Sequence, residues 1–124
     1  MKKTLVLPFL LAAVLVSGCA SDDAESMVKQ TISAMDETAQ VMSTVKDEAS
    51  AKAAAPKLKE LAERRRKIEE KVATVKTPPP AEQAELQKKY AARLTEVTTR
   101  LMQEAMRVST VPGGKVALDA MDGK

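Results

Sequence analysis

Cys19 is the only thiol in the chain, and it ends the run Val16-Ser17-Gly18-Cys19, where an apolar leader gives way to a charged body. The sequence has no histidine and no second cysteine. Cys-His and Ser-His-Asp nucleophiles, intrachain disulfides and thiolate or imidazole zinc sites are therefore excluded. Carboxylates remain, and glycoside hydrolysis needs only two of them. Here, however, Asp and Glu are scattered among Lys and Arg in helical patterns, and the body carries a single aromatic, Tyr90, with nothing to suggest a sugar-stacking cleft. A carboxylate enzyme is the one catalytic alternative the composition permits. The expectation is a non-enzymatic chain with no catalytic set, cofactor or metal. The densest basic run is Arg64-Arg65-Arg66-Lys67. It is a candidate site for anions such as lipid head groups, lipopolysaccharide phosphates or cell-wall carboxylates, with Lys88, Lys89 and Arg93 as candidate additions. Four consecutive helical residues cover about 400° of azimuth, though, so the run cannot turn as a whole toward one ligand.

Lys2 and Lys3, the apolar stretch Leu5 to Val16 and the small pair Ser17-Gly18 form the three-part layout of a secretory signal. The apolar stretch is shorter than the ~20 residues of a spanning helix and contains Pro8, which argues against an uncleaved span. Val16-Ser17-Gly18-Cys19 resembles the lipobox of bacterial lipoproteins. The resemblance implies cleavage between Gly18 and Cys19, a diacylglyceryl group on the Cys19 sulfur, and fatty acyl chains such as palmitate, often on the new amino group as well. One fatty chain binds a membrane reversibly, whereas two or three would hold almost permanently. Ala20, followed by Ser21, occupies the place directly after the cysteine where an aspartate would favour inner-membrane retention in this class. The expected location is thus the cell envelope, at the outer membrane facing the periplasm in a two-membrane bacterium.

Without residues 1–18 the chain keeps 106 residues, enough for one small domain. It then has 18 basic and 17 acidic side chains, net +1, so nothing marks it as a nucleic-acid binder. Apolar residues recur at three and four positions, the pattern of helices with one buried face. The first series is Val28, Ile32, Met35, Ala39, Met42, Val45 and Ala49, with the average spacing of a coiled coil. The second is Ala51, Ala54, Leu58, Leu61, Arg65, Ile68, Val72 and Val75, with Ser50 as the expected N-cap and Pro56 as a loose start or kink. Thr77-Pro78-Pro79-Pro80 ends it and starts the third series, Leu86, Tyr90, Leu94, Val97, Leu101, Ala105 and Val108. The predicted helices cover about 24–49, 51–76 and 80–109 within a single domain, 19–124. The tail 110–124 supplies one docked turn or frays.

The fold class expected is all-α: an antiparallel three-helix bundle, or a long helical hairpin plus a third helix. Residues 20–49 carry two basic and seven acidic side chains, net −5, and residues 50–76 carry nine and four, net +5. The first two helices are therefore expected to attract, and Arg65, on the second seam, is expected to send its head to solvent or to an acidic group of the first helix. Lys124 and the anchored cysteine give the chain a general similarity to the peptidoglycan-linked lipoprotein of enteric bacteria, Braun's lipoprotein. That family's continuous rod is interrupted here by Pro56 and Pro78 to Pro80, and Gly123-Lys124 lacks its basic-aromatic ending. The expected role is a structural or interaction module held to the membrane by its lipid, with a protein partner or self-association adding to a thin Ala- and Met-rich core. The alternative is a binder of anionic envelope components through the second helix.

Overall fold

The computed structural model describes residues 21–75 and 78–124, with four α-helices and no strand among them. The expected signal segment, residues 1–18, and the expected acylation and cleavage position at Cys19 lie outside the described residues. The helices are α1 (Ser21–Ser43), α2 (Glu48–Val72), α3 (Pro80–Ser109) and α4 (Gly114–Met121). The chain is all-α, and its first three helices fall close to the predicted spans.

α1 stops at Ser43, six residues short of the predicted end, because Asp47 starts a new helix. The Asp47 carboxylate accepts from the Ser50 N–H at 2.8 Å, and the Ser50 hydroxyl accepts from the Asp47 N–H at 3.0 Å. This reciprocal box satisfies two donors that a helix start would leave unpaired. Ser50 is thus the box's third helical residue and Asp47 is the cap, which corrects the expected boundary. Ala49 falls in the first turn of α2 and is exposed, so it leaves the α1 seam. α2 continues through Pro56, whose ring sits on the exposed side. Lys52, one turn earlier, whose carbonyl loses its intrahelical donor there, is also an exposed residue, which favours hydration in place of the lost bond. Pro79 and Pro80 start α3 as the sequence indicates, since a first-turn proline gives up an N–H that had no partner anyway.

The side-chain pairings fix the topology. Arg64 of α2 reaches Glu37 of α1, and moving along α2 moves back along α1, so these two are antiparallel. On α3, Lys89 and Tyr90 meet Glu25, Arg100 meets Asp36, and Arg107 meets Met42 and Val45, so α1 and α3 run parallel. The result is the up-down-up order of an antiparallel three-helix bundle, with one departure. Backbones approach extensively between α1 and α2, α1 and α3, α2 and α4, and α3 and α4, but not between α2 and α3. α1 and α4 bridge the other two helices.

α1 therefore buries more than one stripe. Besides Val28, Ile32, Met35, Ala39, Met42 and Val45, it hides Ala24, Met27, Thr31, Ala34 and Thr38. The two threonines can be buried because each hydroxyl donates back to a carbonyl one turn earlier, Thr31 to Met27 at 2.8 Å and Thr38 to Ala34 at 2.7 Å. Small residues at 24, 34 and 39 let neighbours pack close on both sides. One apolar cluster joins Met27, Val28, Ile32 and Met35 to Ile68, Val72, Leu94, Val97 and Leu101. The other joins Met42, Val45, Ala51, Ala54, Leu58 and Val108 to Ala117 and Ala120 of α4.

The tail is thus a helix that completes the second cluster. Gly113 caps it with φ +77°, and a Cβ there would lie 2.7 Å from the Glu48 side chain. A Cβ on Gly114 would lie 2.1 Å from the Val108 carbonyl oxygen, so the α3–α4 turn is closed only because both residues are glycine.

Candidate functional site

The basic run on α2 is dispersed by the fold. Arg64 donates to the Glu37 carboxylate at 2.8 Å and lies 3.4 Å from the Ser33 hydroxyl, both on α1. Arg65 turns away from α1: its guanidinium donates to the Met121 carbonyl at the end of α4. This corrects the expected contact with solvent or an α1 carboxylate, and the reason is that α4 occupies the surface beside that turn of α2. Burial lowers the Arg65 pKa, with Glu69 and Asp122 nearby acting in the opposite direction, and its Nε has no partner. Arg66 lies 3.9 Å from Glu63, one turn back, instead of pairing with Glu70. Lys67 is exposed. Two of the four cations therefore hold helices together, Arg64 while still partly exposed, and Arg66 and Lys67 are the exposed members of the run.

The charged clusters with defined geometry lie between α1 and α3. Glu25 accepts from Lys89 at 2.6 Å and from the Tyr90 hydroxyl at 2.5 Å, with Lys29 at 3.8 Å. The Lys89 and Tyr90 hydrogen bonds hold its carboxyl at about 2, well below the usual carboxylate range. Lys89 is raised in return, chiefly by its hydrogen bond to Glu25. Tyr90 is raised by burial and then by hydrogen bonding to the Glu25 carboxylate. Asp36 lies between Arg100 at 3.0 Å and Arg93 at 3.6 Å. The acidic face of α1 thus pairs mainly with the near-neutral third helix. Against the basic second helix it makes one cross-helix ion pair, Arg64–Glu37, among the described residues. The first two helices are antiparallel neighbours as their opposite charges lead one to expect, but most cross-helix ion pairs of α1 go to α3, because pairing depends on which turns face each other and the cations of α2 point mostly outward.

Arg107 was not singled out by the sequence, yet it donates to the carbonyls of Val45 and Met42, both at 2.8 Å, at the carboxyl end of α1. Neither α1 nor α4 has a basic residue in its own last turn. Each receives an arginine from a neighbouring helix, Arg107 from α3 and Arg65 from α2, where positive charge meets the negative end of the helix dipole. The missing terminal cation is the sequence signal, although it does not say which arginine arrives. Lys88 is exposed, whereas Lys89 and Arg93 are tied to α1 carboxylates, so the three do not join the α2 run as one anion site.

Chemically these clusters neutralise and fasten. Glu25 faces two cations and a phenol, a setting that keeps its carboxylate ionised and does not make it a general acid. Among the described residues no group of three or more Asp, Glu, Cys or His is placed to hold a metal ion, and no helix is long and apolar enough to cross a membrane. Among the described residues the exposed large apolar side chains are Met102, Met106 and Val116, and the two methionines, 59% and 69% exposed, stand one turn apart on α3. No family model, curated protein or solved structure matches this chain, so what it does has to be read from its own residues.

Proposed function

We propose that this protein is a bacterial lipoprotein: an acyl-anchored, non-enzymatic helical module of the cell envelope that acts by contact with other envelope components. The observation that carries the reading is Val16-Ser17-Gly18-Cys19, placed after a basic and apolar leader and two residues ahead of α1. A bundle tied across its helices at Glu25, Asp36 and Glu37, with the rest of its charged side chains mostly paired within one helix or exposed, fits a module that presents surfaces. An anion-binding role for α2 has less support, because Arg64 and Arg65 are committed within the chain and only Arg66 and Lys67 remain outward.

Cys19→Ala in cells fed labelled palmitate tests the anchor. The variant should accumulate as unlabelled precursor or leave the membrane fraction. Continued tight fractionation with incorporated label would overturn the reading. Membrane extracts pulled down with the mature chain at low and high salt separate the two kinds of contact, since anion binding falls steeply with salt and apolar helix contacts do not.

A further inference from the structure

We propose that the bundle stands on the lipid surface with the first turn of α3, Pro79 to Ala81, seated in the head-group layer and the α1–α2 and α3–α4 turns pointing away. The proposal rests on the lipid-anchor reading above and adds the face that meets the membrane.

The argument is one of lengths. α1 and α3 are parallel and in register where Glu25 meets Lys89 and Tyr90. Measured from that level toward the helix starts, Ser21 is four residues back and Pro80 is ten residues back from Tyr90. At 1.5 Å per residue these are about 6 Å and about 15 Å, so the tip of α3 overhangs the start of α1 by roughly 9 Å. Cys19 precedes Ser21 by two residues, a reach of at most about 7 Å even when fully extended. The acylated sulfur therefore cannot be carried far beyond the tip of α3. Acyl chains inserted from so short a tether bring that tip against the head groups.

The surface chemistry agrees. Pro79, Pro80, Ala81 and Ala84 give the tip an exposed, uncharged patch, bordered by the half-buried Glu82 and the exposed Glu85. At the other end, Thr110 lies 29 residues from Ala81 along one helix, about 44 Å away. The same placement holds the exposed Met102 and Met106 well clear of the lipid.

The mature acylated chain has no other thiol, so single cysteines introduced as Ala81→Cys and Thr110→Cys, both exposed positions, can each take a fluorophore. In phosphatidylethanolamine–phosphatidylglycerol vesicles with nitroxide on the head groups, the Ala81→Cys label should lose most of its emission and the Thr110→Cys label almost none. Ten Gly/Ser residues inserted between Ala20 and Ser21 should erase that difference. Equal quenching at both positions, or stronger quenching at Thr110→Cys, overturns the upright seating while leaving the anchor intact. A difference that survives the longer tether overturns the claim that tether length sets it. A mature N-terminal peptide whose mass shows no acyl group overturns the anchor reading and this proposal together.

Discussion

Replacing Arg65 by alanine should release α4 before it unfolds the bundle. The guanidinium donates to the Met121 carbonyl, at the end of a helix with no basic residue in its own last turn. A hydrogen bond from a charged donor contributes about 1.5–3 kcal/mol, and a cation at a helix carboxyl end adds about 0.3–1 kcal/mol. The opposing effect is burial: Nε has no partner, and desolvation disfavours the charged form. Removing a buried charge recovers part of that penalty, and a well-packed apolar side chain in its place is often close to neutral. The net loss for Arg65→Ala is therefore about 2 kcal/mol, since the apolar stem goes as well. Arg65→Met keeps a stem over the same surface and should cost about 1 kcal/mol or less. Urea unfolding midpoints give the totals, and hydrogen exchange locates the loss: amides of α4 should exchange faster in Arg65→Ala while those at the centre of α1 keep their protection. Unchanged protection in α4, or equal stability losses for the alanine and methionine variants, would refute the assignment of Arg65 as the tie between α2 and the end of α4.

Tyr90 is the only tyrosine, so an ultraviolet titration reads it alone. Its midpoint should lie above 10, and Glu25→Gln should bring it down, because the carboxylate's charge and hydrogen bond oppose ionisation of the phenol. Glu25 itself has a folded-state pKa below its ordinary 4.5, near 2. Its contribution to stability is full above about 4.5 and is lost as pH falls through about 2, so acid unfolding should be shallower over that window in Glu25→Gln; an unaltered slope would mean the cluster does not form in solution. Gly114→Ala should destabilise the fold by about 2–3 kcal/mol in urea melts through the clash with the Val108 carbonyl, and a neutral result would mean the α3–α4 turn has another path.

Local chemistry made much of this architecture legible in the chain itself. The three-four spacing of Leu58, Leu61, Ile68 and Val72, or of Leu94, Val97 and Leu101, names a buried stripe because helix geometry puts those residues on one side. Pro78 to Pro80 set the start of α3 for an equally local reason. The leader and Cys19 are likewise read from adjacent residues, and the anchor proposed here depends on nothing farther away. Packing decided the rest. Thr31, Ala34 and Thr38 look like surface positions beside a single apolar seam, and they are buried because α1 has helices on more than one side. The last ten residues are too short and weakly apolar to declare a helix alone, yet Ala117 and Ala120 become core once α2 and α3 supply the other walls. The arginines show the same division. Sequence identifies Arg64, Arg65 and Arg107 as cations, but their partners are 27, 56 and 62 residues away, at Glu37, Met121 and Val45. Those partners follow from which turns face each other, and no property confined to one helix contains that information.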